Sequence, residues 1–282
     1  MDYSESKKLF AAQLCVDFGL NETELNSDVV FAPSKPYGPR ARNYLKGEKP
    51  FFAMTLYSGR LIVVADESIM PYAKKYVGEC SEPFRAFDAP NIFALNAELA
   101  KHGYTIDHAA QGFLPRAAGA EIKHDIRVFV GEEIRRLYEF KGFDNALCYS
   151  GSKFACFQGQ ICDDDKRFNT PQQAAGVNTF YSLTDRRRDT VAVAFFDRGM
   201  PQAIAGCTND ADRLWQIGID VTPEYRRRGL GSELVTALKS EVEKLGVCPF
   251  YCCAWSNVPS QRTAVKSGFA PEWAEVFASP VK

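Results

Sequence analysis

What the chain lacks narrows it first. No apolar run approaches the ~18 residues that a membrane-spanning helix needs, and the start Met1-Asp2-Tyr3-Ser4-Glu5-Ser6-Lys7-Lys8 lacks the apolar stretch of a signal peptide. The expectation is a cytoplasmic protein with no membrane partner. Excess charge of either sign is missing too: 34 Lys and Arg face 35 Asp and Glu, for a net charge of −1. A chain without a global positive field is not drawn to nucleic acid, so any phosphate it holds must be held locally. C-x-x-C pairs are absent, and the nine cysteines, scattered from Cys15 to Cys253, suit buried reduced thiols better than a disulfide framework. Cys248, Cys252 and Cys253 crowd together, but all three histidines, His102, His108 and His124, lie far upstream. Neighbouring strand residues also point to opposite faces, so no metal site is expected.

What is present is enough apolar sequence for a sizeable core. The 282 residues, 46% hydrophobic and 24% charged, allow one large or two ordinary globular domains. Leu9, Phe10, Leu14 and Phe18 recur at helical spacing between Glu5 and Leu20. The Pro, Gly, Asn and Ser content of Asn26 to Pro50 predicts an irregular loop. Phe51–Leu56 and Leu61–Ala65 flank a glycine-containing turn and predict a hairpin, with helices to follow near Glu67–Val77 and Ala89–Gly103. Nothing before residue 120 forms a phosphate loop, a nucleophile motif or a carboxylate pair, and His102 and His108 read as surface or loop residues. Residues 1–120 are therefore expected to be a smaller α+β domain that covers the ligand site of the second, residues 121–282.

The second half carries the stronger pattern. A strand at Ile126–Val130, a helix at Glu132–Phe140, a polar loop from Phe157 to Thr170, and strands at Thr190–Phe196 and Gln202–Gly206 lead to Leu214-Trp215-Gln216-Ile217-Gly218-Ile219-Asp220-Val221. That strand runs into Thr222-Pro223-Glu224-Tyr225-Arg226-Arg227-Arg228-Gly229-Leu230-Gly231-Ser232, and a helix with Leu230, Leu234, Leu238, Val242 and Leu245 on one face runs out. A helix N-terminus turns unpaired N–H groups outward, arginines add fixed positive charge, and glycines let a bulky phosphate approach the backbone. A strand at Phe250–Trp255, a short helix ending at Gly268-Phe269 and a last strand at Glu272–Phe277 complete the order.

The spacing Arg226-x-x-Gly229-x-Gly231, with its strand before and helix after, resembles the phosphate-binding signature of the GNAT superfamily of N-acetyltransferases. Asn257, Ser260 and Gly268-Phe269 resemble the closing motif of the same family. The resemblance implies an α+β fold in which helices flank a mixed central sheet, with acetyl-CoA as co-substrate. By the same resemblance Ile219 and Val221 contact the pantetheine arm, Arg226, Arg227, Arg228, Gly229, Leu230, Gly231 and Ser232 hold the pyrophosphate, and Asn257 and Ser260 touch the cofactor.

The activity implied is attack of a neutral amine on the thioester carbonyl, with a small-molecule primary amine as acceptor. Such a reaction asks for a positioned amine, a proton acceptor, and donors for the oxyanion and thiolate. Here the sequence departs from the family, because Ala264 occupies the position of the tyrosine that protonates the thiolate in many members. Asp220, Gln216 and Tyr251 are the catalytic candidates, with Asp220 needing a raised pKa or a water relay to act as a base; a capping role for its carboxylate is an equal alternative. Two other readings stay open: a non-catalytic acyl-CoA-binding module, and an acetyltransferase for protein N-termini or lysines. A homodimer is also left open.

Overall fold

The computed structural model describes residues 1–43, 45, 49–148 and 189–281, and the chain divides into two compact units. One unit gathers Ser4–Leu114 with Cys252–Ser260 and Pro271–Lys282; the other gathers Met1–Tyr3 with Pro115–Tyr251 and Gln261–Ala270. The chain thus crosses at Leu114, and again near Tyr251, Ser260 and Ala270, passages on which a single division at residue 120 does not bear.

In the first unit, α1 (Tyr3–Phe18) precedes a strand the sequence did not predict. Val29–Pro33 forms β1 and lies parallel to β3 (Arg60–Ala65), with Val30 opposite Ile62. The expected irregular loop over Asn26 to Pro50 is corrected here. Val29, Val30 and Phe31 are strand formers whose backbone is satisfied along β3, and Pro33 ends the strand instead of forbidding it. The predicted hairpin forms from β2 (Phe52–Tyr57) and β3, turning on Ser58 and Gly59 at φ of 52° and 80°. Two successive positive φ angles make the primed turn whose twist matches paired strands. The helices α2 (Met70–Gly78) and α3 (Ala89–Lys101) follow as expected. A long strand no periodicity assigned, β4 (Tyr104–Pro115), comes next and carries His108, which is therefore a strand residue and not a loop one. The last strand, β10 (Phe269–Pro280), pairs antiparallel with β2.

The core of this unit stacks Phe52, Met54, Leu61, Val63 and Val276 against Leu95 and Leu99, all fully buried. Within it lies a charged group: the Arg42 backbone N–H donates to Asp17 Oδ1 at 2.9 Å, its Nε donates to Asp17 Oδ2, and its Nη2 sits 3.5 Å from Glu275 Oε2. None of the three side chains is exposed. Removing one member of such a buried set leaves a buried charge uncompensated and costs about 3–5 kcal/mol.

In the second unit the strand order is the Cys248–Tyr251 part of β9 (Cys248–Ala254), then β8 (Leu214–Val221), β7 (Met200–Thr208), β6 (Asp189–Asp197) and β5 (Ile126–Val130). All neighbours are antiparallel except β8 and β9, which run parallel, so the sheet is mixed. The apolar face of α4 (Leu230–Lys244) buries Leu230, Leu234, Leu238 and Val242. The helix expected over Glu132–Phe140 is a 3-10 helix, Gly131–Leu137. The three-residue turn still points Ile134 and Leu137 inward, where they meet Tyr138, Ala192, Ala194 and Ile204. The loop predicted at Phe157–Thr170 and the run Arg186–Arg188 lie outside the described residues.

Gly206 on β7 stands opposite Gly218 on β8, and the pair has a steric purpose. A Cβ at Gly206 would come 2.0 Å from the Ala146 carbonyl oxygen, and one at Gly218 would come 1.8 Å from that of Asn145. Only glycines let the Asn145–Ala146 backbone lie flat on the sheet. Gly218→Ala is expected to destabilise the fold by about 1–3 kcal/mol through this overpacking; urea unfolding of the variant against wild type checks it.

Candidate functional site

The end of β8 and the start of α4 form one continuous turn. Thr222 is pinned to β7 by its backbone N–H, which donates to the Gln202 carbonyl at 2.9 Å. A 3-10 turn, Pro223–Tyr225, follows, and Arg226 Nε then donates back to the Val221 carbonyl at 3.0 Å. Arg227 takes a left-handed φ of 63° and Gly229 one of 86°, so the backbone reverses before the helix begins. Gly229 tolerates this because it has no Cβ. Its carbonyl accepts from the N–H groups of Ser232 and Glu233, and no side chain caps the helix.

Among the described residues, the backbone N–H groups of Arg227, Arg228, Gly229, Leu230 and Gly231 have no acceptor. Arg226, Arg227, Arg228 and Gly229 are exposed, which places the first donors of the row at the surface beside three guanidinium groups, while Leu230 is buried and Gly231 half-buried. Arg228 lies 5.0 Å over the Tyr225 ring, and the Tyr225 hydroxyl donates to Asp197, which braces the turn from below. The positive end of the helix dipole, free donors and cationic side chains together suit a phosphate.

The helix start is also held from behind, by contacts the sequence did not reveal. Buried Glu233, in the first turn of α4, accepts from the Lys123 N–H at 2.9 Å, the His124 N–H at 3.2 Å and the His124 ring at 2.9 Å. Burial alone would raise its carboxyl, but the His124 ring and the two N–H groups outweigh it, and the pKa lies below the ordinary glutamate value. Ala120 N–H donates to Thr236 Oγ1 at 3.0 Å, and buried Lys239 donates to the carbonyls of Ala117 and Ser267 at 2.7 and 2.8 Å. The stretch from Ala117 to Lys123, in which the expected division at residue 120 falls, is thus bound along α4.

Beside the turn, the β8–β9 ladder stops early. The register runs from Leu214 opposite Cys248 to Ile217 opposite Tyr251, while β8 continues to Val221 with, among the described residues, β7 alone in register beside it. Past Ile217, β8 therefore presents an edge to an extended ligand. Ile219 and Val221 point to the helix side: a Cβ placed on Gly231 would lie 3.9 and 3.5 Å from them.

Gln216 and Asp220 share the opposite face of β8 with Gly218, over which Asn145 and Ala146 lie. Both Asp220 oxygens are engaged there, Oδ2 by the N–H groups of Asn145 and Ala146 at 2.8 and 2.9 Å and Oδ1 by Asn145 Nδ2 at 2.7 Å. Burial nevertheless pushes the Asp220 carboxyl above its ordinary value. Tyr251 is buried against Phe269 at the last rung of the ladder. Asn257 belongs to the other unit, where its side chain accepts from the Ser260 N–H at 3.2 Å and caps α5 (Val258–Lys266). Ala264 is fully buried. The turn, Ile219, Val221, Gln216, Asp220 and Tyr251 thus come together in one unit; Asn257 and Ser260 lie in the other.

Residues 158–269 match the model of the acetyltransferase (GNAT) family, a stretch described here from residue 189. Among solved structures the chain is similar to a GNAT-family protein from Novosphingobium aromaticivorans, at 14% identity over 62% of this chain and 66% of that one, with a TM-score of 0.38. An acetyltransferase from Colwellia psychrerythraea shares 13% identity over 62% and 57%, with a TM-score of 0.40. A GCN5-related N-acetyltransferase from Kribbella flavida shares 18% identity over 67% and 64%, with a TM-score of 0.38. The chain spans between 57% and 66% of the length of these proteins. No match is found among curated proteins.

The brace behind the helix makes a pH prediction. Because the folded Glu233 pKa is depressed, its contribution to stability is present above the unfolded glutamate value and is lost as pH falls through the folded one. Glu233→Gln is expected to lower the melting temperature near neutral pH, and the gap to wild type is expected to close in acid below the ordinary carboxylate range. Thermal melts across that interval check the sign.

Proposed function

We propose, on the premise that residues 158–269 belong to the acetyltransferase (GNAT) family, that this protein moves an acetyl group from acetyl-CoA to the primary amine of a small molecule. Acetyl-CoA is the co-substrate of that family. The observation that supports the reading best is the row of N–H groups from Arg227 to Gly231 without acceptors among the described residues, its first three residues exposed at the start of α4 among three arginines.

In this proposal the turn from Arg226 to Ser232 holds the pyrophosphate, and the β8 edge at Ile219 and Val221 pairs with the pantetheine amides. The acceptor's neutral nitrogen attacks the thioester carbonyl carbon; a C–N bond forms, the C–S bond breaks, and the ammonium proton passes by way of water to the departing thiolate. Gln216 and Tyr251, the polar side chains nearest the end of the β8–β9 ladder, are proposed as donors to the oxyanion or the thiolate. Asp220 is proposed as a positioning residue, since both its oxygens already hold Asn145 and Ala146. Buried Ala264 supplies no acid. No helix among the described residues is long and apolar enough to cross a membrane, and a cytoplasmic setting belongs to the same proposal.

Two measurements test it. Incubation with acetyl-CoA and a panel of small amines is expected to release free CoA thiol. Acetyl-CoA held tightly with no turnover on any amine would instead favour the acyl-CoA-binding reading, and turnover confined to peptide amines would move the acceptor to a protein. Gly229→Val forces a β-branched residue into a left-handed φ, and Gly231→Leu fills the space over Ile219 and Val221. Each is expected to raise the KM for acetyl-CoA about tenfold or more, equivalent to about 1.4 kcal/mol of lost binding.

A further inference from the structure

We propose that His108, Cys252 and Glu275 form a binding site for a borderline-soft divalent cation of the Zn2+ class, held by three protein ligands with the fourth position open. The residues come from β4, β9 and β10, and all lie in the unit built on Ser4–Leu114. Their donor atoms lie within 4.8 Å of one another.

The distances suit coordination. Zinc takes imidazole nitrogen at about 2.0–2.1 Å, thiolate at about 2.3 Å and carboxylate oxygen at about 2.0–2.2 Å, so the edges of a tetrahedron of such donors measure about 3.3–3.8 Å. His108 Nε2 lies 3.4 Å from Glu275 Oε1, and Cys252 Sγ lies 3.8 Å from the same oxygen. Two edges of the polyhedron are thus already present. The set of one nitrogen, one sulfur and one oxygen favours zinc over calcium or magnesium, which prefer oxygen alone.

The surroundings divide the Glu275 carboxylate in two. Oε2 faces Arg42, itself fixed by Asp17, which leaves Oε1 turned to His108 and Cys252. An outer partner that fixes one ligand oxygen in this way is a regular feature of metal sites. Charge agrees as well. Asp17 and Arg42 cancel each other, and a divalent ion cancels the Glu275 carboxylate and a Cys252 thiolate; on binding, the thiol gives its proton to solvent. His108, whose side chain is partly exposed, also lines a cavity of about 70 Å3 with Tyr37, Asp107 and Phe277, a path by which an ion could reach the imidazole. The sequence argument against a metal rested on the distance from Cys252 to any histidine along the chain, and the pairing of β4 with β9 removes it.

The test uses the full chain. Zn2+ titrated in competition with a chromophoric chelator is expected to bind at one equivalent, and Co2+ in its place is expected to give a thiolate-to-cobalt charge-transfer band. Cys252→Ser and His108→Gln should each weaken binding by at least about 100-fold, the upper range for loss of even an outer partner, while Cys253→Ser leaves the band intact. Circular dichroism melts of the variants in chelator separate loss of the site from loss of the fold, and His108→Gln, at a partly exposed side chain, keeps the test open if Cys252→Ser unfolds. The proposal is overturned if wild type takes up neither ion, if cobalt binds without the band, or if the folded variants bind as tightly as wild type.

Discussion

The interaction on which the second unit depends is the one its backbone leaves unmade. A helix cannot satisfy its own first N–H groups, and α4 begins at a left-handed glycine with no side chain to cap it. Such an end would fray if nothing else fixed it. Here it is fixed from behind, where buried Glu233 ties the Lys123–His124 backbone to the first helical turn and Lys239 ties the Ala117 carbonyl to the next ones. The front of the turn is left open, with its first donors and its arginines at the surface. Rigidity behind and vacancy in front are what allow a turn to recognise an anion without first having to order itself.

The first unit is organised by a different constraint, buried charge. Arg42 is held among Asp17 and Glu275 with almost no exposure, an arrangement that contributes little net stability but penalises any fold that separates the three. Because Asp17 ends α1, Arg42 follows β1, and Glu275 lies on β10, the network ties together segments that are far apart in the chain. It also determines which oxygen of Glu275 is left for His108 and Cys252.

Legibility in the sequence followed the range of the forces involved. The β2–β3 hairpin, α1, α4 and β8 announce themselves through periodicity and through glycines that the turns require, all of which act over a few residues. β1 was hidden because a proline-rich neighbourhood reads locally as a loop, and its strand exists only through pairing with β3. β4 was hidden for a similar reason: its side chains alternate poorly, and the strand is defined by its neighbours. The Glu132 helix tightened into a 3-10 turn because Ile134 and Leu137 had to reach a core formed by β6 and β7. For the site, the turn and its spacing were legible to the residue. The partners of Asp220, the bond of His124 to Glu233 and the His108–Cys252–Glu275 cluster were not, since each joins residues whose separation in sequence carries no local signal.

The sequence by itself determined the Arg226–Ser232 turn, because a strand, two glycines, three arginines and an amphipathic helix in that order dictate a local geometry through sterics and unpaired donors. It also determined the α+β character of the chain, since the alternation of strand and helix periods is written residue by residue. The tertiary structure alone decided where the β8–β9 ladder ends, which groups Asp220 holds, and which titratable side chains meet around Glu275. Those outcomes depend on strand pairing between distant segments, and pairing is settled by the burial and hydrogen-bond satisfaction of the whole unit, not by any one stretch of chain.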